Sequence, residues 1–122
     1  MISLREDVLK YIHWTYKGEI EYPWLRYPDY GVVRHKDNQK WYALFMDIPR
    51  SKFGLSGDKI TDVLNIKLAD FLTRDFLIQR EGFFPGYHIA RGNWISVLLD
   101  GTVDLDEVCH LIDISYNSRM FS

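Results

Sequence analysis

From Val63 to Leu68 the chain alternates without a break. Leu64, Ile66 and Leu68 fall on one side of an extended segment, and Val63, Asn65 and Lys67 fall on the other. A second run repeats the pattern: Ile95, Val97 and Leu99 face one way while Trp94, Ser96 and Leu98 face the other. Two such runs call for a sheet with one covered side, and whatever covers it must carry apolar stripes at helical spacing.

Both ends of the chain supply such stripes. Leu4, Val8, Tyr11 or Ile12, and Thr15 recur at three- and four-residue steps, with Ser3 and Glu6 as a capping box and Gly18 as a stop, which predicts a helix over 4–17. Leu105, Val108, Leu111, Ile112 and Ser115 predict a closing helix over 105–117, with Asp104 and Glu107 as its cap. Between them, Tyr30–His35 and Lys40–Met46 flank a polar turn and read as a β-hairpin. Residues 47–59, with Pro49, Gly54, Ser56 and Gly57, read as a long connection. A strand at 63–67, a short helix at 69–79 and strand-like runs at 83–89 and 93–99 complete the order. The expectation is a single domain over 1–122 of the α+β class. Its form is a two-layer sandwich, a mainly antiparallel sheet with the N- and C-terminal helices on one face.

The longest apolar run, Trp41–Met46, is far short of the roughly 18–20 residues that span a membrane. The amino-terminal residues carry no basic segment followed by an apolar one, so a cytoplasmic protein with no membrane partner is expected. Cys109 is the sole cysteine and lies on the apolar side of the last helix, which predicts a core thiol and no intramolecular disulfide. Net charge is −2, with the basic residues concentrated in the middle: residues 34–67 carry +3, against −1 before and −4 after them. That is a weak field for a polyanion.

No G-x-S-x-G or phosphate-loop spacing is present. The histidines, at 13, 35, 88 and 110, show no i, i+4 pair, and the single Glu107-x-x-His110 is half of what a carboxylate-bridged metal site needs. No metal, no cofactor and no catalysis are therefore expected. What remains is the sheet face away from the helices, where Asn65, Lys67, Trp94 and Ser96 fall together and Tyr87 and His88 can join from an adjacent run. A ring, a lysine and an imidazole on an uncovered sheet make a plausible binding platform, although Trp94 reads equally well as a packing residue.

Lys40-Trp41-Tyr42-Ala43-Leu44-Phe45, Val63-Leu64-Asn65-Ile66-Lys67, Pro85-Gly86-Tyr87-His88, Asn93-Trp94-Ile95-Ser96-Val97 and Ser115-Tyr116 resemble, in order and spacing, the MmcQ/YjbR family. The resemblance implies a frataxin-like (CyaY-like) sandwich and a double-wing DNA-binding module, and its signature falls on Lys67, Pro85, Gly86, His88 and Trp94. The acidic ridge by which frataxins hold iron has no counterpart here, since Glu6 and Asp7 are interleaved with Arg5, Lys10 and Lys17. Two binding readings follow. One is a partner of double-stranded DNA, with Arg34, Arg91 and the lysines of 34–67 on phosphates and Tyr87 or Trp94 near the bases. The other is a small-molecule or protein-binding module on the open face around Lys67, His88 and Trp94. An enzyme with His88 as base and Lys67 as anion clamp has the least support.

Overall fold

The computed structural model describes residues 3–87 and 93–117. Along the chain lie α1 (Arg5–Tyr16), β1 (Gly31–Arg34), β2 (Trp41–Pro49), a 3-10 turn (Arg50–Phe53), β3 (Ile60–Lys67), α2 (Phe71–Leu77), β4 (Phe83–Pro85), β5 (Trp94–Leu98) and α3 (Leu105–Asn117). The strands form one sheet in the order β1-β2-β3-β5-β4, and every neighbouring pair is antiparallel. This is the expected α+β architecture. β2 and β3 each extend about three residues past the expected ends, so the connection between them shrinks to 50–59.

Val8 and Ile12 of α1 and Val108, Leu111 and Ile112 of α3 bury against Phe45, Leu64, Ile66, Ile95, Val97 and Leu99. Both long helices thus cover the face set by the even positions of β3 and the odd positions of β5. Among the described residues both sheet edges are partly engaged. On β1, Val32 and Glu21 exchange backbone hydrogen bonds of 2.9 Å. On β4, Phe83 N–H turns to the Arg80 carbonyl and Pro85 has no N–H.

Several local expectations change. The Ser3–Glu6 box does not form, because the Ser3 hydroxyl donates to Asp62 across the fold and Leu4 occupies the cap position. Glu107 likewise leaves its cap role and grips both terminal nitrogens of Arg80. α1 ends on Lys17, whose φ of 57° is left-handed, and Gly18 serves a different need. A Cβ there would lie 2.7 Å from Ile12 and 2.9 Å from the Tyr42 hydroxyl, so only glycine lets the chain pass this close to the core. In α2, Asp70 caps by accepting from Thr73 N–H at 2.7 Å, and Leu77 is the buried residue. Phe71, Leu72 and Phe76 are exposed.

One irregularity positions the site. Between β1 and β2 the register skips Tyr42: Val33 faces Ala43 while Arg34 faces Trp41. Tyr42 therefore joins Ala43 on the helix side, and Trp41 packs on the opposite side. The Ser115 hydroxyl of α3 enters at this bulge, donating to the Tyr42 carbonyl at 2.7 Å and accepting from Lys67 N–H at 3.2 Å. A side chain thus replaces one rung of the β2–β3 ladder. Ser115→Ala strands both backbone groups, and we expect it to cost about 2 kcal/mol and to lower Tm by roughly 5–10 °C in thermal denaturation. An unchanged Tm would mean that water replaces the hydroxyl.

Around Ser115 lies an aromatic cluster. Tyr11 and Tyr16 both donate to the Asp113 carboxylate, Tyr16 stacks on Tyr116 at 3.9 Å, and the buried His35 lies 4.7 Å from the Tyr42 and Tyr116 rings. Burial, then Asp113, pushes the Tyr16 phenol up.

Candidate functional site

The second face of the sheet is not open. Val32, Leu44, Met46, Ile48, Val63 and Leu98 form a second buried layer, covered by Trp24, Tyr30 and Trp41 on one side and by Phe53, Leu55, Phe84 and Tyr87 on the other. Phe53 of the 3-10 turn sits 4.7 Å from Phe84 and 5.5 Å from Tyr87, and Trp24 meets Trp41 edge-on at 5.6 Å. The segment read from sequence as a long connection therefore supplies part of the cover. Its aromatic and aliphatic members, not its glycines, decide where it lies.

Within this layer the register aligns Leu44, Asn65, Ser96 and Phe84 across β2, β3, β5 and β4. Asn65 and Ser96 have no exposed surface. Ser96 Oγ accepts from Tyr87 N–H at 2.9 Å and donates to Asn65 Oδ1, while Asn65 Nδ2 donates to Met46 Sδ at 2.9 Å. Two residues further along the strands, Lys67 and Trp94 stand directly opposite each other. Cross-strand neighbours have Cβ atoms about 5 Å apart. Both are half-buried, as is Tyr87.

Lys67 differs from the other half-buried cations. Arg5, Arg34, Arg50 and Arg74 each pair with a carboxylate, namely Asp62, Glu21, Asp100 and Asp75. Among the described residues the Lys67 ammonium has no carboxylate partner, and no residue outside the described ranges is Asp or Glu. Taking a lysine partly out of water without a counter-charge is unfavourable, which sets Lys67 apart from the paired arginines.

The expected site residues thus divide. Lys67 and Trp94 come together at one end of β3 and β5, whereas Tyr87 bonds to Ser96 through its backbone and turns its ring to Phe53, away from that end. Arg34 lies at the same end but is neutralised by Glu21 at 2.8 Å, with its guanidinium 5.7 Å from the Trp41 ring. His88 and Arg91 lie outside the described residues. The basic residues of 34–67 do not form one track. Arg34, Lys36, Lys40 and Lys67 gather at the hairpin end, and Arg50, Lys52 and Lys59 lie at the far end of β2 and β3, roughly 25 Å away at the usual rise per strand residue.

Cys109 is a further correction. It is half-buried at a cleft between α1 and α3 with Asp7, Tyr11, His110 and Asp113, rather than in the core. Burial, followed by the charges of Asp113, Asp106 and Asp7, pushes its thiol up to about 11. At neutral pH it should react with iodoacetamide roughly a hundredfold more slowly than an unperturbed thiol, and mass spectrometry of timed aliquots reads this directly. Among the described residues no group of three or more His, Cys, Asp or Glu is placed to hold a metal, and no helix is long and apolar enough to cross a membrane.

The arrangement matches known proteins. A family model described as YjbR matches residues 15–118. The chain belongs to the YjbR family. It is 38% identical over 113 residues to the uncharacterized protein YyaQ of Bacillus subtilis (strain 168), covering 93% of this chain and 95% of that one. A crystal structure of a Pseudomonas syringae protein superposes with a TM-score of 0.88 at 38% identity, covering 97% and 98% of the two chains. A solution structure from the same organism gives 0.82 at 40%, covering 93% and 90%. A Deinococcus radiodurans protein, at 22% identity, a TM-score of 0.69 and coverage of 94% and 77%, shares the fold. In this YjbR chain, the segments that suggested the family run from the β2 hairpin to the end of α3, and the signature Lys67 and Trp94 are neighbours in space.

Proposed function

We propose that this YjbR-family chain is a non-enzymatic binding module that receives a compact anion at the Lys67–Trp94 end of its sheet. The observation that carries the reading is the half-buried Lys67, which among the described residues has no carboxylate partner while every other half-buried cation has one. Trp94 opposite offers its ring to an apolar or planar portion of the same ligand. Nothing in this set of groups supplies a nucleophile paired with a base, so binding without chemistry is the simpler role.

Duplex DNA is the second reading, favoured by Arg34, Lys36, Lys40 and Lys67 at one end of the sheet. Against it stand the net charge of −2, the pairing of Arg34 and the distance to the other basic group. One pair of titrations separates the two. Amide NMR shifts are followed with inorganic phosphate and with benzoate. Anisotropy of a labelled mixed-sequence duplex is measured at about 50 and about 200 mM salt. The compact-anion reading expects saturable shifts centred on Lys67, Trp94 and Ser96 that vanish in Lys67→Met, with no duplex binding. Micromolar duplex binding that collapses with salt, without saturable shifts at Lys67, would replace it with the DNA reading.

A further inference from the structure

The neighbouring cross-strand pairs on β3 and β5, Val63 with Leu98 and Leu64 with Val97, are wholly apolar. Asn65 opposite Ser96 breaks that rule at a place with no exposed surface. An apolar pair of similar size would satisfy the packing there, so stability alone does not explain an amide and a hydroxyl. Their hydrogen bonds do lead somewhere. From Met46 Sδ through Asn65 and Ser96 they end on the backbone N–H of Tyr87, just past the end of β4. Gly86 N–H bonds to the Trp94 carbonyl at 3.2 Å, so the chain leaving β4 is tied to β5 at two consecutive residues, once by backbone and once by this relay. The Tyr87 ring then rests on Phe53.

We propose that Asn65 and Ser96 are positioning residues: through the Tyr87 amide they fix the Pro85–Tyr87 segment against the Lys67–Trp94 end of the sheet and so preorganise the anion site. The inference rests on the reading of that site, but its structural half can be read without a ligand. Preorganisation acts on affinity because the free protein no longer loses segment entropy on binding. The buried amide is the right donor and acceptor for this task. It accepts from Ser96, which holds the hydroxyl rotor so that its lone pair faces Tyr87 N–H.

The test compares wild type, Ser96→Ala, Ser96→Thr and the double variant Asn65→Val/Ser96→Ala. Amide hydrogen exchange at Tyr87 is measured alongside that at Val63, Leu64 and Val97. Affinity for inorganic phosphate is measured by the Lys67 and Trp94 amide shifts. The expected result is at least tenfold faster exchange at Tyr87 in Ser96→Ala and in the double variant, with the strand amides unchanged, and at least fivefold weaker phosphate binding. Ser96→Thr, which keeps the hydroxyl, restores both. The double variant guards against misfolding, since it removes both polar partners together. Unchanged Tyr87 exchange in the double variant, or faster exchange with unchanged phosphate affinity, overturns the proposal. Absence of phosphate and benzoate binding in wild type instead removes the reading of the site, whatever Tyr87 does.

Discussion

Arg5→Met is expected to destabilise the fold by about 2 kcal/mol at neutral pH, between the cost of breaking an exposed ion pair and that of a fully buried one. The reason lies across β2 and β3, where Asp47 and Asp62 stand directly opposite each other, an arrangement that is unfavourable for like charges. Arg5, from the first turn of α1, resolves it. Its guanidinium lies 3.6 Å from Asp62, donates to the Asp29 carbonyl and sits 5.6 Å from the Phe45 ring centroid. Its side chain is 12% exposed and that of Asp62 is 27%, so water replaces little of what is lost. Methionine keeps much of the stem's packing and removes the charge.

The pH dependence has a definite sign. Burial, then the Asp29 charge, raises Asp47 above the usual carboxylate range even with Arg5 opposing it. A raised carboxyl binds its proton more tightly in the folded than in the unfolded chain, so its penalty is present at neutral pH and is relieved as pH falls through the raised value. Loss of Arg5 deepens that penalty. The stability gap between Arg5→Met and wild type should therefore be widest near neutrality and narrow in the acid range. Urea titrations at several pH values measure it, and a gap independent of pH would show that lost packing, not charge, sets the cost.

Lys67→Met is expected to weaken phosphate or benzoate binding by roughly ten- to a hundredfold, the worth of one charge-assisted hydrogen bond. It should leave stability unchanged or slightly raised, because it removes a half-buried charge that lacks a carboxylate partner in the described protein. The opposite signs are the diagnostic point. A purely structural lysine would lose stability on substitution and have no anion affinity to lose. Lys67→Arg should recover only part of the affinity, since a planar fork reaches further and does not reproduce an ammonium's position. Isothermal titration and thermal denaturation on the same samples give both readings, and a Lys67→Met protein that binds like wild type would remove the lysine from the site.

How much of this was legible beforehand differs from element to element. Period two in β3 and β5 put Lys67 and Trp94 on one face, and the register places them opposite each other. The same period put Asn65 and Ser96 there, yet nothing local says that the face is covered. The apolar layer beside them is packed by Phe53, Trp24 and Tyr30, which come from segments rich in proline, glycine and polar residues. The paired charges were equally hidden. Ser3 and Glu107 satisfy the local grammar of a helix start, but each side chain finds a stronger partner far away in sequence, Asp62 and Arg80. Ser115 looks like an ordinary small residue on a helix stripe until the bulge at Tyr42 opens a rung for it.

The sequence by itself determined the class, the number and approximate places of the helices and strands, and the family, because hydrophobic periodicity and short motifs are properties of neighbouring residues. Tertiary structure alone decided which polar residues are buried, which cations are neutralised and where the sheet's second face is closed. Those depend on which distant groups meet, and the free energy of a charge or an amide is set by what surrounds it rather than by its place in the chain.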